Sequence, residues 1–189
     1  GNMGLPLTLF AFGEEGFALS IAYFTIASLA NFTLGQAIAA QGITLRELLR
    51  MPLVWAIALA TGLALTGLAL PSAVARALHI TGGLTVPLML LSLGYSLAQL
   101  RIQSLGRGVV LSLTRLLGGF AIGWLVATLL GLDGLARGVV VTQSSMPSAV
   151  YNYMFAARYE TGAEEVAGLV ILSTLMSLVL LPWFLATVM

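Results

Sequence analysis

Apolar stretches long enough to cross a bilayer recur along nearly the whole chain, separated only by short polar connectors. They run at about 17–40, 52–70, 81–100, 109–130, 138–159 and 165–188, with a shorter one at about 4–12 ahead of them. Roughly 20 helical residues span the ~30 Å hydrocarbon core. No water is available there to pair backbone N–H and C=O groups, so each stretch must be a helix that satisfies its own. Of 189 residues only 8% are charged, 59% are hydrophobic, and the mean hydropathy is +1.03, far outside the range of a soluble domain. The chain reads as an all-α integral membrane protein whose first partner is the lipid bilayer. Its net charge of +1 points to no nucleic acid partner, and the lack of cysteine excludes disulfides, thiolate metal sites and thiol catalysis. It opens on Gly1 with no charged segment ahead of an apolar core, so no signal peptide is expected and the chain is expected to begin inside a larger protein.

One stretch is interrupted. Gln143-Ser-Ser-Met-Pro147 lies inside the run at 138–159. Proline has no N–H and its ring clashes with the preceding turn, while the residue before it is biased away from helical geometry. The segment from Gln143 to Pro147 is therefore expected to be non-helical at membrane depth. Such breaks are tolerated only where the backbone is buried in protein or lines a wet cavity, and a pair of them points to a secondary transporter's binding site. The second candidate is Gly1-Asn-Met-Gly-Leu-Pro6.

Arginines set the orientation, because basic residues accumulate in short cytoplasmic loops. Alternate connectors carry Arg46, Arg50, Arg101, Arg107 and Arg158 on one side, against Arg76 and Arg137 on the other. The Gln41–Met51 connector is thus predicted to be cytoplasmic, with Met189 and the Glu14-Glu15 loop outside. Thr44-Leu-Arg-Glu47 has capping-box spacing and predicts a short interfacial helix before Pro52. A weak internal repeat is also visible. The Gly1–Pro6 element leads through Glu14-Glu15 into a long span, as the Gln143–Pro147 element leads through Glu164-Glu165 into the last one. An odd number of crossings separates them, so the two are inverted.

Asn2-Met-Gly-Leu-Pro-Leu7 with Phe12-Gly-Glu-Glu-Gly16, Val86-Pro-Leu-Met-Leu-Leu-Ser-Leu-Gly94, and Gln143-x-x-x-Pro147 with Ala157-Arg-Tyr159 together resemble the auxin efflux carrier family in its bacterial permease branch. The resemblance covers essentially the whole chain. It implies ten helices in two inverted repeats, with the fourth and ninth broken and crossing, a superfold shared with bile acid sodium symporters. On that alignment the first three helices are absent from this sequence. Residues 1–40 then hold half of the fourth helix and the fifth, 52–100 two scaffold helices, and 109–189 the last three, including the broken ninth. Gly118-Gly119 follow Arg115 where the family has a proline.

The resemblance implies a transporter of small organic anions, such as carboxylates or dicarboxylates, working by alternating access in a bacterial inner membrane. Two half-helix starts, at Pro6 and Pro147, would present unpaired N–H groups and partial positive charge to such an anion. Candidate substrate contacts are Asn2, Gly4, Pro6, Gln143, Ser144, Ser145 and Pro147. Tyr151 and Asn152 are expected to bond between helices, Ser173 and Thr174 to bond to their own backbone or a neighbour. Arg115 lies inside a span but near its cytoplasmic end and is expected to snorkel to the interface. Every Asp and Glu falls in a connector, so no proton relay, cation ligand or metal site is placed within the spans, and no cofactor is expected. A coupling ion, proton or sodium, and a homodimer through the scaffold helices complete the expected partners. The alternatives are a sodium-coupled bile acid symporter-like carrier, a non-transporting scaffold, or an intramembrane enzyme. The last lacks any evident base to activate a serine.

A cysteine placed at Gly108 or Gly162 is predicted to react with impermeant reagents from the cytoplasmic side only, and one at Asp133 from outside only. Labelling of Gly108 from outside intact cells reverses the orientation.

Overall fold

The computed structural model describes residues 3–31, 52–100 and 105–188. The Thr44–Glu47 turn, Asn2, and the arginines at 46, 50 and 101 lie outside them. The described residues form eight helices and no strand: α1 (Gly4–Ala30), α2 (Pro52–Thr66), α3 (Ser72–Gly83), α4 (Thr85–Gln99), α5 (Leu105–Leu129), α6 (Gly134–Ser144), α7 (Val150–Arg158) and α8 (Ala163–Val188). Four stretches are long and apolar enough to cross a membrane: Gly4–Ala30, Ser72–Gln99, Leu105–Leu129 and Ala163–Val188.

The first of these is not one straight crossing. Gly4 packs against Gln143 while Tyr23 hydrogen-bonds Ser144, the next residue along. A straight helix would separate residues 4 and 23 by roughly 28 Å. The chain turns back at Gly13, whose φ of 67° and ψ of −164° belong to a region open essentially to glycine alone. A Cβ on Gly16 would overlap that of Phe12, which regular helix geometry never brings about. Half-helix 4–12 and the longer arm from 14 thus form a hairpin, as the connector expected at Gly13–Gly16 requires. The far half of the chain repeats the plan. Helix α7 has 9 residues, Gly162 follows at φ 67°, and α8 opens with Glu164 and Glu165 in its first turn. Carboxylates there complement the positive end of the helix.

Helix α6 lies between α1, α5 and α8, and α5 and α8 pack along each other. At the α5–α6 contact the spacing Gly119-x-x-x-Gly123 removes two side chains. A Cβ on Gly119 would overlap the Ser144 carbonyl, and one on Gly123 would come within 2.7 Å of Ser144 Cβ. Small residues replace a hydrophobic driving force where lipid is as apolar as the protein. Buried hydroxyls follow the same logic: Ser20 donates to Gly16 O at 2.7 Å and Ser112 across to Leu169 O at 3.4 Å. The apolar centre is Met146, Leu181 and Phe184, with Met3, Leu7, Phe120 and Leu180 against it, and Phe120 stacks on Phe184 at 4.4 Å. Arg107 pairs with Glu165 at 2.8 Å, so α5 and α8 start at one end of the bundle. Helices α3 and α4 bury no residue, and α4 touches α1.

Two of the expected runs need correction. The connector between the runs at 52–70 and 81–100 is mostly helical, since α3 begins at Ser72. Pro71 is the N-cap, outside the helical region at ψ 138°, where its missing N–H removes no intrahelical bond. The run at 52–70 stays helical only to Thr66, and Gly67 leaves it at φ 64°. The run at 138–159 is interrupted as two helices, α6 and α7, joined by the non-helical residues 145–149.

Gly119→Ala is predicted to destabilise the protein by about 1–3 kcal/mol through overpacking. Gly118→Ala, where a Cβ meets open space, should be neutral or slightly stabilising. Thermal unfolding of both variants in detergent checks this; equal midpoints contradict the close contact at Ser144.

Candidate functional site

Residues 145–149 interrupt the α6–α7 crossing. Ending a helix in a bilayer leaves its last four carbonyls without intrahelical donors, and each such group costs several kcal/mol if unpaired in hydrocarbon. All four are accounted for. Val141 O and Thr142 O both accept from Ser145 N at 3.1 Å, and Gln143 O accepts from Met146 N at 3.3 Å. Ser145 Oγ also donates to Val141 O at 2.6 Å. The fourth, Ser144 O, accepts from Arg115 Nη1 at 3.0 Å. In an unbroken helix Ser144 O would pair with the amide of Ser148, which instead donates to Ser173 Oγ at 3.1 Å. Both halves of one missing rung are thereby taken up by side chains from the flanking helices α5 and α8.

Arg115 is not at the interface. It is the eleventh residue of the 25 in α5, about 15 Å from its start, and its guanidinium turns inward to the break. The expectation that it snorkels is overturned: a carbonyl at a helix C-terminus, where the dipole is negative, holds a cation better than a longer reach to water. Helix α5 itself runs unkinked past Gly118-Gly119.

The start of α1 meets the end of α6 from the other side. A Cβ on Gly4 would overlap Gln143 Oε1 and lie 3.1 Å from Met146 Cγ, so only glycine admits this approach. Gln143 is 6% exposed, and its Nε2 has no hydrogen-bond partner among the described residues. Thr142 Oγ1 beside it is equally unpartnered at 1% exposure. Buried polar groups in folded proteins are nearly always paired, so the Gln143 amide against the start of α1 is a donor available to an acceptor oxygen. Among the described residues no cluster of three His, Cys, Asp or Glu could hold a metal ion.

Of the expected contacts, Gly4 and Gln143 come together. Pro6 is fully buried in the first turn of α1, which begins at Gly4 rather than at the proline. Pro147 likewise precedes α7 by three residues instead of starting it, and Gln143 and Ser144 remain helical, so the break begins at Ser145. Ser144 and Ser145 face elsewhere. The first shares a 3.0 Å hydrogen bond with Tyr23 OH, and the second spends its hydroxyl on Val141 O. Asn152 does not bond between helices; its Nδ2 donates to Ser148 Oγ at 3.1 Å. Thr174 donates to Val170 O at 2.7 Å on its own helix, as expected. Tyr23, Thr142 and Ser148 carried no sequence signal of their own, since each is an ordinary polar residue of an apolar run.

A family described as membrane transport protein matches residues 36–185. The chain belongs to that family, the auxin efflux carriers. Two similar proteins are an uncharacterized transporter of Methanocaldococcus jannaschii, 27% identical over 191 residues, and an uncharacterized transporter of Methanothermobacter thermautotrophicus, 30% identical over 189 residues. Each similarity covers 96% of this chain, which spans 62% of the relative's length. No solved structure matches. This auxin efflux carrier family member thus belongs to a family of membrane transport proteins, and its long apolar helices are those of an integral membrane protein.

Proposed function

We propose that the chain serves in secondary transport of small organic anions, carboxylates or dicarboxylates, bound where the start of α1 meets the break between α6 and α7. The observation that carries this reading is the unpartnered, buried Nε2 of Gln143 against Gly4. An N–H₂ is a donor and calls for an acceptor oxygen. The first N–H groups of α1 and the positive end of its dipole lie at the same place and favour a negative one. Alternating access on this reading moves the half-helices of α1 and α6–α7 against α2–α4, which bury little against the rest and suit the role of scaffold and dimer face. The described acidic residues, Glu14, Glu15, Asp133, Glu160, Glu164 and Glu165, are all exposed at helix ends, so a proton or sodium ion as coupling partner would have to be held by carbonyls or by residues beyond those described.

In the complete protein, reconstituted and tested with radiolabelled mono- and dicarboxylates, Gln143→Ala should weaken binding modestly, by the ~0.5–1.5 kcal/mol of one hydrogen bond. Gln143→Glu places a fixed anion at the start of α1 and should abolish binding at neutral pH. Lowering the pH protonates the new carboxyl, so Glu should recover relative to Ala measured at the same pH. Equal losses with no recovery in acid would favour a neutral substrate or a site elsewhere.

A further inference from the structure

We propose that Arg115 is a positioning residue that keeps the crossing broken, acting with Ser173 to hold apart the Ser144 carbonyl and the Ser148 amide. The two groups are natural partners: residues i and i+4 of one apolar run would join in a continuous helix. Proline at 147 removes a different rung, the one to Gln143 O, and that carbonyl already finds Met146 N at 3.3 Å. Proline alone therefore leaves the Ser144–Ser148 rung free to close. What opposes closure is the pair of substitutes. Arg115 Nη1 donates to Ser144 O at 3.0 Å from α5, and Ser173 Oγ accepts from Ser148 N at 3.1 Å from α8. Ser173 completes its own valence by donating to Val170 O at 3.3 Å.

The approach of the guanidinium is built into the packing. Gly119 lies one turn beyond Arg115, and a Cβ there would strike both Arg115 Nη1, at 2.5 Å, and the Ser144 carbonyl. Tyr23 OH fixes the other side of Ser144 through its hydroxyl. Ser144 is consequently held by α1 and α5 together, one residue from the Gln143 amide. Any rotation of α6 that turned Gln143 toward or away from the start of α1 must break the Arg115 contact. Arg115 acts on the site through the backbone, without touching a ligand.

The consequence for transport rests on the anion reading above, whereas the consequence for the break does not, so the two can fail separately. In the complete protein in lipid nanodiscs, without substrate, amide hydrogen exchange at residues 145–149 reads the break directly. Arg115→Met keeps length and removes the donors; the freed Ser144 carbonyl then takes the Ser148 amide, and exchange there should slow about tenfold while the far end of α8 is unchanged. Arg115→Lys, retaining a charged donor, should restore exchange to within about threefold of wild type. Ser173→Ala should slow the Ser148 amide selectively, by leaving it to pair with Ser144 O, and it serves as the test if the Met variant does not insert. Carboxylate uptake should follow the same order, with Lys rescuing. Exchange in inserted Arg115→Met and in Ser173→Ala that is quickened, or within about twofold of wild type, overturns the proposal. Lost carboxylate uptake with that unchanged exchange also overturns it, by making Arg115 a ligand, and leaves the anion reading standing. Slowed exchange in these variants with no carboxylate taken up by the wild type supports the proposal and sinks the anion reading.

Discussion

In hydrocarbon every backbone amide and carbonyl needs a partner from the protein, and the fold is organised around the one place where the helix itself cannot supply it. Between Ser145 and Ala149 the chain leaves the helix, yet all four terminal carbonyls of α6 and the amide of Ser148 have donors or acceptors. Three helices are committed to this end. Helix α5 gives up side chains at Gly119 and Gly123 to come close and sends Arg115 across, α8 offers Ser173, and α1 folds back at Gly13 so that both of its arms reach the same depth. A break so fully paired is held by the bundle, not merely tolerated by it.

Against that full pairing, the two unpartnered side chains stand out. Thr142 and Gln143 lie on the last turn of α6, within a protein whose other buried hydroxyls bond back to their own helix or across to the next. The charge balance points the same way. Among the described residues Arg115 has no carboxylate partner, and every described acid is at a helix end. A cation with only a neutral carbonyl beside it, together with a helix start, gives this depth a positive potential. On the transport reading, that potential selects an anion before any direct contact does.

Much of the architecture was legible in the chain because it depends on local rules. Apolar run length marked the spanning helices, glycine before an acidic pair marked both reversals, and Pro147 located the interruption to within two residues. Pattern failed where a partner in three dimensions decided the outcome. Arg115 sits seven residues inside an apolar run, a position equally compatible with reaching outward or inward, and only the carbonyl left over at Ser144 selects inward. The prolines were expected to begin their half-helices because they suit a first turn. Yet Gly4 and Val150 begin them, since the entry point is set by packing against Gln143 and by the bond from Ser148 to Ser173. The serines at 144 and 145 looked alike in sequence and point to different neighbours, a distinction a helical turn makes and a motif does not.

The central claim is that the Gln143 amide, at the start of α1, receives the carboxylate of a transported acid. Solid-state dipolar recoupling in bilayers measures it directly, between ¹³C in the carboxylate of an acid taken up by the complete protein and ¹⁵N in glutamine side chains. The account predicts a coupling for a carbon–nitrogen distance of about 4 Å, set by one hydrogen bond, that disappears in Gln143→Ala. A bound carboxylate with no such coupling, or one that survives that substitution, would contradict it.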